Sequence, residues 1–232
     1  MSVRFIPMLF STPMVQAIIS GKKTQTRRVI KLPSYHPSME HKEVSKFEIK
    51  DFKVYDGNGD FEGDLKDMYR PGDILWVREC FHKYESADGS IIYSYKVENK
   101  IIENAKIWKP SIHMPKEACR LFLQIKSIKC ERLHDISESD AIAEGVNLNK
   151  KDYQLFLQTL KNDVSVPKHI AGIAFMDLWG SINGKESWDA NPWVWVIEFE
   201  QIEKPAGFLP QICYKSDKPC VHDCTGLCKE SC

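Results

Sequence analysis

The sequence lacks a net charge, a long apolar run and an even spread of cysteine, and each absence excludes a class of protein. Lysine plus arginine equals aspartate plus glutamate, at 32 each, so a strongly basic protein that coats polyanions is excluded. No apolar run approaches the about 20 residues of a membrane-spanning helix, so no integral membrane protein is expected. Five of the eight cysteines lie in the last twenty residues, which argues against the disulfide framework of a secreted domain. We therefore expect a cytoplasmic protein.

The length and composition are those of one large globular domain. The chain has 232 residues, of which 43% are hydrophobic and 28% are charged, and this is enough apolar material to bury a core. We expect a domain over residues 1–204, with insertions near 32–70 and 147–168, and a cysteine-rich tail over residues 205–232.

The balanced total charge hides a basic N-terminal region. Residues 1–31 contain six lysines and arginines and no acidic residue, whereas residues 35–69 contain nine acidic residues and five lysines. A basic edge attracts phosphate groups wherever it lies near a groove.

Short strands and few helices are predicted along the chain. A strand over residues 3–10 is followed by a helix that Ser11 or Thr12 caps and that Gly21 ends in a left-handed conformation. β-Branched residues predict a second strand over residues 24–30. This order favours an α+β fold with a mixed, curled sheet over a doubly wound one. Further strands are predicted over residues 74–80, 91–97, 120–128 and 193–200, and further helices over residues 137–144 and 168–182.

The first motif with chemical potential follows the first helix and reads Gly21-Lys22-Lys23-Thr24-Gln25-Thr26-Arg27-Arg28. Lysine and arginine bind phosphate as cations, and threonine both donates and accepts hydrogen bonds. The motif is therefore either an anion or nucleotide site at the start of a strand or a solvated basic strand edge.

This motif resembles the opening of the ASCH family, small domains of the PUA-like superfamily in which a helix precedes a Gly-(Lys/Arg)-Lys-Thr-x-Thr-x-Arg strand. Residues 70–79 resemble the Pro-Gly-Asp turn and strand of that family, and residues 119–146 resemble its strand-to-helix segment. Residues 175–199 are similar to the closing helix and strand of its larger, phage- and prophage-type members. The resemblance covers most of residues 1–200. It implies a PUA-like mixed β-barrel with flanking helices and a cleft for RNA or a modified nucleoside.

The resemblance also implies a reaction, because some small bacterial members of the family hydrolyse N4-acetylcytidine to cytidine and acetate. By motif, the working residues of those members fall on Lys23, Thr26 and Glu144. A lysine that is desolvated in a pocket can take the proton of a threonine hydroxyl, and a carboxylate can orient that lysine. The resemblance implies no cofactor for this catalysis. One alternative is a non-catalytic RNA-binding adaptor whose cysteine-rich tail is a metal-dependent contact for a partner. The other is a ribonuclease, since other members of the family have been proposed as such.

The implied mechanism sets a geometric condition. In a regular strand over residues 23–28, Lys23 and Thr26 would point to opposite faces. Lys23 must therefore lie in the turn after Gly21, or the strand must bulge. For Arg78, an internal ion pair is the alternative to a role in binding. The residues expected to bind the nucleic acid or nucleoside are Lys22, Thr24, Arg27, Arg28 and Arg78.

The tryptophans divide into two expected groups. Trp193 and Trp195 share one face of a predicted strand, so we expect them to pack in the core. Trp108 and Trp188 lie in polar segments, and they are the expected residues for stacking on a base.

The cysteine-rich tail has two interpretations. Its cysteines recur every four residues, a spacing that places thiolates on one face of a helix and could hold zinc. Paired cysteines in zinc ribbons are instead separated by two residues. Pro219 also argues against one continuous helix. The tail is either a structural zinc site or a disordered or core-packed segment. The candidate zinc ligands are Cys220, Cys224, Cys228 and Cys232.

Overall fold

The computed structural model describes residues 3–30, 48–55, 61–65, 68–98, 107–148 and 169–208. No helix in these residues is both long and apolar enough to cross a membrane. The helices are α1 (Thr12–Ile19), α2 (Glu138–Ala143), α3 (Ile170–Asn183) and α4 (Glu186–Asp189). The strands are β1 (Phe5–Leu9), β2 (Gln25–Val29), β3 (Glu48–Lys50), β4 (Lys53–Tyr55), β5 (Phe61–Asp64), β6 (Ile74–Arg78), β7 (Phe81–Glu85), β8 (Ile91–Tyr95), β9 (Phe122–Arg132) and β10 (Trp193–Ile202).

The largest sheet in the described part of the chain has five strands, which are hydrogen-bonded in the order β1-β6-β9-β10-β2. β1 runs parallel to β6, and β2 runs antiparallel to β10 with Thr26 opposite Ile197. β3, β4 and β5 form a separate three-stranded sheet, and β7 and β8 form a hairpin. The predicted α+β class, with a mixed sheet and flanking helices, is confirmed. In the described residues this sheet is open, with β1 and β2 as its edge strands.

Helix α1 and the turn after it follow from the local sequence. Ser11 is the N-cap and a proline occupies the first turn, where its missing N–H costs no helical hydrogen bond. Gly21 follows the helix with φ at 70°, a conformation that glycine adopts without the steric cost of a Cβ atom. The N–H groups of Lys22 and Lys23 both donate to the carbonyl of Ala17, at 2.9 and 3.0 Å. The chain therefore wraps around the C-terminal end of α1 before β2 begins.

The described residues divide into two compact units. Unit 1 contains residues 3–10, 74–98, 107–123 and 201–208, and unit 2 contains residues 11–30, 48–55, 61–65, 68–73, 124–148 and 169–200. The expectation of one domain over residues 1–204 stays a prediction. The insertion near 32–70 contributes β3, β4 and β5. The insertion near 147–168 lies outside the described residues except for its first two, and so do residues 209–232 of the tail.

Unit 1 has a core of aromatic rings around Phe208, which is 1% exposed. The Phe208 ring meets those of Phe5, Trp76 and Phe122 edge-on, with centroids 5.3, 5.9 and 4.7 Å apart. The ammonium group of Lys116 lies 4.6 Å from the centre of the Phe208 ring. Edge-to-face ring pairs and a cation over a ring face add to the free energy gained from apolar burial.

Unit 2 buries a second apolar cluster between α2, α3, α4 and β10. Trp188 is 4% exposed, and its ring lies 4.7 Å from that of His134 and 6.2 Å from that of Phe175. The prediction that Trp188 stacks on a base is therefore wrong, because the short helix α4 packs its ring into the core. Trp195 is 4% exposed, which confirms its predicted place in the core. The role of Trp108 stays a prediction.

Candidate functional site

Lys23 lies in the turn between α1 and β2, not on the strand itself. It forms an isolated antiparallel bridge with Glu144, the residue that caps the C-terminal end of α2. The next N–H group, that of Thr24, donates to the carbonyl of Ala143 at 2.9 Å. Because β2 begins only at Gln25, the face alternation of a regular strand does not apply to Lys23 and Thr26.

Close packing around Gly145 holds Lys23 against the end of α2. Gly145 has φ at 78°, in the left-handed region that favours glycine. A Cβ atom added there would lie 2.8 Å from Cβ of Ala17 and 2.9 Å from Cβ of Lys23. Gly145 is therefore the residue that lets the backbone after α2 approach both α1 and Lys23.

The Lys23 and Glu144 side chains form a buried ion pair. The Lys23 ammonium donates to Oε2 of Glu144 at 2.5 Å and to its backbone carbonyl at 2.9 Å. Both residues are 2% exposed. Burial lowers the pKa of Lys23, the Glu144 carboxylate acts in the opposite direction, and the cations of Arg28 and Arg27 lower it further. Lys23 is thus an amine whose proton is easier to remove than that of a solvated lysine.

Arg27 binds the other oxygen of the same carboxylate. Its Nη1 atom donates to Oε1 of Glu144 at 3.2 Å and to Oε1 of Gln25 at 2.8 Å. Its Nε and Nη2 atoms donate to Oε1 of Glu131 at 3.1 and 2.5 Å, and Nη2 also donates to Oδ2 of Asp140 at 3.2 Å. The Arg27 side chain is fully buried, so its charge is balanced by carboxylates and not by water.

Lys129 closes this group of charges on its outer side. Its ammonium lies 3.0 Å from Glu131 and 3.2 Å from Asp140. Partial burial raises the pKa of Asp140, but hydrogen bonds and charge from Lys129, with Arg27 and Gln25, outweigh it and leave that pKa below its ordinary value. The Asp140 carboxylate is therefore held in its charged form by neighbouring cations.

A cavity of about 380 Å³ opens beside the buried pair. Thr26, Arg28 and Glu144 line its polar side. Helix α3 lines its apolar side with Phe175, Leu178, Trp179 and Ile182. Cavities of roughly 300–1,000 Å³ with an apolar lining and a few converging polar groups are typical of small-molecule sites.

Tyr69 closes the cavity beside Arg28. Its side chain is 9% exposed, and its ring meets that of Trp195 edge-on at 6.1 Å. Burial raises the pKa of Tyr69, and the nearby cation of Arg28 acts against this rise. Burial also lowers the pKa of Arg28, with the charges of Glu144 and Tyr69 acting in the opposite direction. A tyrosine hydroxyl and a guanidinium group thus stand together at a cavity next to a carboxylate.

The predicted site residues between Lys22 and Arg28, together with Glu144, fall into two groups. Thr26, Arg27, Arg28 and Glu144 all line the cavity, and Lys23 adjoins it through Glu144. Lys22 and Thr24 are exposed and are not among the lining residues.

Arg78 belongs to unit 1. There its guanidinium donates to the carbonyl of Ile112 and lies 5.5 Å from the centre of the Trp76 ring. These are internal contacts of unit 1, although neither is the ion pair considered as its alternative role.

No group of three histidine, cysteine, aspartate or glutamate side chains within the described residues is arranged to hold a metal ion. The four cysteines proposed as zinc ligands, Cys220, Cys224, Cys228 and Cys232, lie outside those residues.

Several residues of the site escaped the sequence analysis. Tyr69 precedes the Arg-Pro-Gly-Asp turn directly, so its closeness to a recognised motif was an available signal. The apolar side of α3 was predicted as a helix but not as a cavity wall. Glu131 and Asp140 are 104 and 113 residues from Arg27, and nothing local in the sequence indicates their contact with it.

Comparison with known proteins gives distant structural likenesses. No family model matches the sequence, and no curated protein matches it. The chain is similar to the crystal structure of the hypothetical protein PH0355, with 13% identity over 85% of this chain and 99% of that chain and a TM-score of 0.32. It is also similar to protein EF3133 from Enterococcus faecalis V583, of family DUF984, with 12% identity over 89% and 84% of the two chains and a TM-score of 0.32.

A third solved structure is similar over a comparable length. It has 12% identity over 87% of this chain and 81% of that chain, with a TM-score of 0.33. At these identities and TM-scores the likenesses assign no residue roles. This third structure is an ASCH domain from Lactobacillus crispatus JV V101, and ASCH is the family that the sequence motifs resemble.

Proposed function

We propose that this protein hydrolyses the amide bond of an N4-acylated cytidine, of which N4-acetylcytidine is the first substrate to test. Thr26 is the nucleophile, and the pair of Lys23 and Glu144 transfers its proton. The observation that carries the proposal is the buried contact of 2.5 Å between Lys23 and Glu144, beside a cavity that Thr26 and Glu144 both line.

The cavity suits a nucleoside. Its volume of about 380 Å³ lies near the lower end of the roughly 300–1,000 Å³ found for small-molecule sites. Phe175 and Trp179 on α3 offer apolar ring surface for a flat base, and aromatic contacts of this kind are tolerant of base identity. Arg28 and Tyr69 provide donors for the polar edge of the base or for its acyl oxygen.

The first half-reaction transfers the acyl group to the protein. Oγ of Thr26 attacks the acyl carbonyl carbon, and its proton passes to the neutral amine of Lys23 while Glu144 orients that amine. The guanidinium of Arg28 stabilises the negative oxygen of the tetrahedral intermediate. The bond between the carbonyl carbon and N4 then breaks, and the proton on Lys23 is delivered to N4. Cytidine leaves with a neutral amino group.

The second half-reaction restores Thr26. A water molecule attacks the carbonyl carbon of the acyl ester, and Lys23 takes a proton from this water. The ester bond breaks, the same proton returns to Oγ of Thr26, and the carboxylic acid leaves. The two half-reactions together consume one amide and one water and yield cytidine and acetate.

The charge state of Lys23 supports this role. A solvated lysine is almost fully protonated at neutral pH and cannot act as a base. Burial lowers the pKa of Lys23, against the pull of Glu144, which brings the neutral amine closer to the working pH. A base matched to the pH of its reaction is the arrangement that proton-transfer catalysis favours.

The test is to incubate the purified protein with N4-acetylcytidine and to follow cytidine release by chromatography. We expect turnover by the wild-type protein and a loss of about 10²–10⁴-fold in Lys23→Met, Thr26→Val and Glu144→Gln, the range for removing a proton-transfer group. Lys126→Met is the control, because Lys126 is half exposed and pairs with Glu200 on the surface. Absence of turnover, under conditions where a known deacetylase works, would retire this reaction. Turnover that persists in all three variants would mean that the residue assignments are wrong.

The same assay separates a free nucleoside from a nucleoside within RNA. A short RNA carrying one N4-acetylcytidine is compared with the free nucleoside across a salt series. Binding of RNA through its phosphates weakens steeply as salt rises, whereas binding of one uncharged nucleoside changes little. Steep loss of kcat/KM with salt for the RNA, together with a lower KM than the nucleoside, would identify RNA as the substrate.

A further inference from the structure

The pair of Lys23 and Glu144 belongs to a larger, charge-balanced cluster. Described contacts link three cations with three carboxylates across β2, β9, α2 and the turn before β2. The cluster is mostly buried on the side of Lys23 and half exposed on the side of Lys129. Its members are Lys23, Arg27, Lys129, Glu131, Asp140 and Glu144.

Arg27 occupies the centre of this cluster and contacts all three carboxylates. It shares Glu144 with Lys23, because Oε1 of Glu144 accepts from Arg27 at 3.2 Å and Oε2 accepts from Lys23 at 2.5 Å. The Glu144 carboxylate therefore binds two cations at once. Each cation weakens the attraction between that carboxylate and the other cation.

We propose that Arg27 is a positioning residue for the reaction: by binding one oxygen of Glu144, it fixes the carboxylate so that the other oxygen holds Lys23. This inference rests on the proposed function. It assigns to Arg27 a role through Glu144 in place of the substrate contact that the sequence predicts for it.

The groups facing Lys23 determine the sign of the effect. Glu144, at the end of α2, favours the charged ammonium, whereas Arg27 and Arg28 on β2 disfavour it. Glu131 on β9 and Asp140 on α2 face Arg27, and Lys129 faces both of these carboxylates. Removing the positive charge of Arg27 deletes one repulsive cation and frees Glu144 to act on Lys23 alone. Both changes raise the pKa of Lys23.

A purely structural role for Arg27 makes a different prediction. A buried guanidinium that satisfies three carboxylates also stabilises the fold, and its loss leaves those carboxylates without full compensation. That loss lowers stability, but a structural role alone does not require the acid limb of the pH profile to follow the pH at which Lys23 titrates. The position of the acid limb relative to this titration, and not the amount of activity, therefore distinguishes the two roles.

The experiment compares Arg27→Gln, Arg27→Lys and the double variant Arg27→Gln/Asp140→Asn with the wild-type protein. The double variant removes one positive and one negative charge from the cluster, so the remaining two cations and two carboxylates stay balanced. It is measured in case Arg27→Gln alone does not fold. Lys129→Gln is the matched control. It removes one cation from the same cluster, but from a side chain that is 53% exposed and does not contact Glu144, where water screens the charge.

Two quantities are measured for each variant. The first is the acid limb of the pH profile of kcat/KM for N4-acetylcytidine. The second is the titration midpoint of Lys23, from the NMR shifts of its Cε and Nζ atoms, assigned by their disappearance in Lys23→Arg. In Arg27→Gln we expect both to rise by about half a pH unit or more. In the double variant we expect a smaller rise, because loss of the Asp140 carboxylate lowers the pKa of Lys23. Arg27→Lys should restore most of the difference, and Lys129→Gln should move either value by less than about 0.3 unit.

The outcomes separate this inference from the proposed function. An unchanged Lys23 midpoint in folded Arg27→Gln or in the double variant overturns the role of Arg27, whatever the wild-type activity. A raised midpoint with a matching shift of the acid limb supports both proposals. A raised midpoint in a protein that turns over no acylated cytidine supports the coupling of Arg27 to Lys23 and overturns only the reaction.

Discussion

Gly145 offers the sharpest test of how the site is held together, through the substitution Gly145→Ala. The residue has φ at 78°, and an alanine in the left-handed region costs about 1–2 kcal/mol. Its new Cβ atom would lie 2.8 Å from Cβ of Ala17 and 2.9 Å from Cβ of Lys23. Overpacking of a well-filled interior costs about 1–3 kcal/mol more. We therefore expect the free energy of unfolding to fall by about 2–5 kcal/mol.

Gly21→Ala is the matched control for this substitution. Gly21 has a similar φ of 70° and lies at the end of the neighbouring helix, but its added Cβ atom would meet nothing within 4 Å. Only the conformational cost of about 1–2 kcal/mol applies to it. The difference between the two variants therefore isolates the contact of Gly145 with α1 and Lys23.

Urea unfolding at neutral pH gives the free energy of unfolding of both variants. Equal slopes of this free energy against urea concentration indicate comparable transitions. The expected order of midpoints is wild type, then Gly21→Ala, then Gly145→Ala. Because the added methyl group pushes against Lys23, cytidine release should also fall further in Gly145→Ala. Equal destabilisation of the two variants would refute the argument, since it would mean that the backbone after α2 does not press on Lys23.

Three further predictions concern Phe52, Asp140 and two cysteines. Phe52 has φ at 61° in the turn between β3 and β4, and its ring stacks on that of Trp195 with centroids 5.7 Å apart. Phe52→Gly should unfold at a higher urea concentration than Phe52→Ala, because both variants lose the ring but only glycine adopts this φ freely. The reverse order would contradict the assigned turn. The pKa of Asp140 is lowered in the folded protein, so its charged form stabilises the fold above the unfolded pKa of about 3.9 and this contribution is lost as the pH falls through the folded value. The difference in unfolding free energy between wild type and Asp140→Asn should accordingly be greatest near pH 6 and diminish as the pH falls below about 3.9. A difference that does not change with pH would exclude the ionic contribution. Burial raises the pKa of Cys119 and of Cys130 to about 12. Peptide mapping after brief iodoacetamide treatment at pH 8 should therefore find both thiols unmodified until the protein is unfolded. Rapid labelling of either thiol in the folded protein would show that it is not protected.

Sequence patterns located most of the regular elements of the fold. The predicted strands over residues 120–128 and 193–200 and the predicted helix over residues 168–182 correspond to β9, β10 and α3. Each carries a strong apolar pattern, and a proline or a polar segment bounds it. By contrast, β7 was missed, because Phe81–Glu85 alternates charged and aromatic residues on an exposed hairpin and has no strong turn signal before it.

Site residues could be predicted from the sequence only within the segments that resemble a known family. Lys23, Thr26 and Glu144 were chosen by resemblance, and the contact of 2.5 Å between Lys23 and Glu144 is consistent with that choice. Arg27 was expected to face a ligand, since an arginine in a basic motif carries no local sign of internal partners. Its partners Glu131 and Asp140 come from distant parts of the chain, and only the folded backbone brings them together.

The wide separation of Lys23 and Glu144 in the sequence also has a consequence for synthesis of the chain. The two residues are 121 positions apart, so Lys23 is made roughly 6–24 s before its partner at ordinary rates of translation. During that interval burial of its ammonium group would leave a charge without compensation, which is unfavourable. The contact of Lys23 with Glu144 therefore cannot form until α2 has been made, and β2 acquires its neighbour β10 later still. Any activity that depends on this pair is therefore absent from a nascent chain that lacks α2.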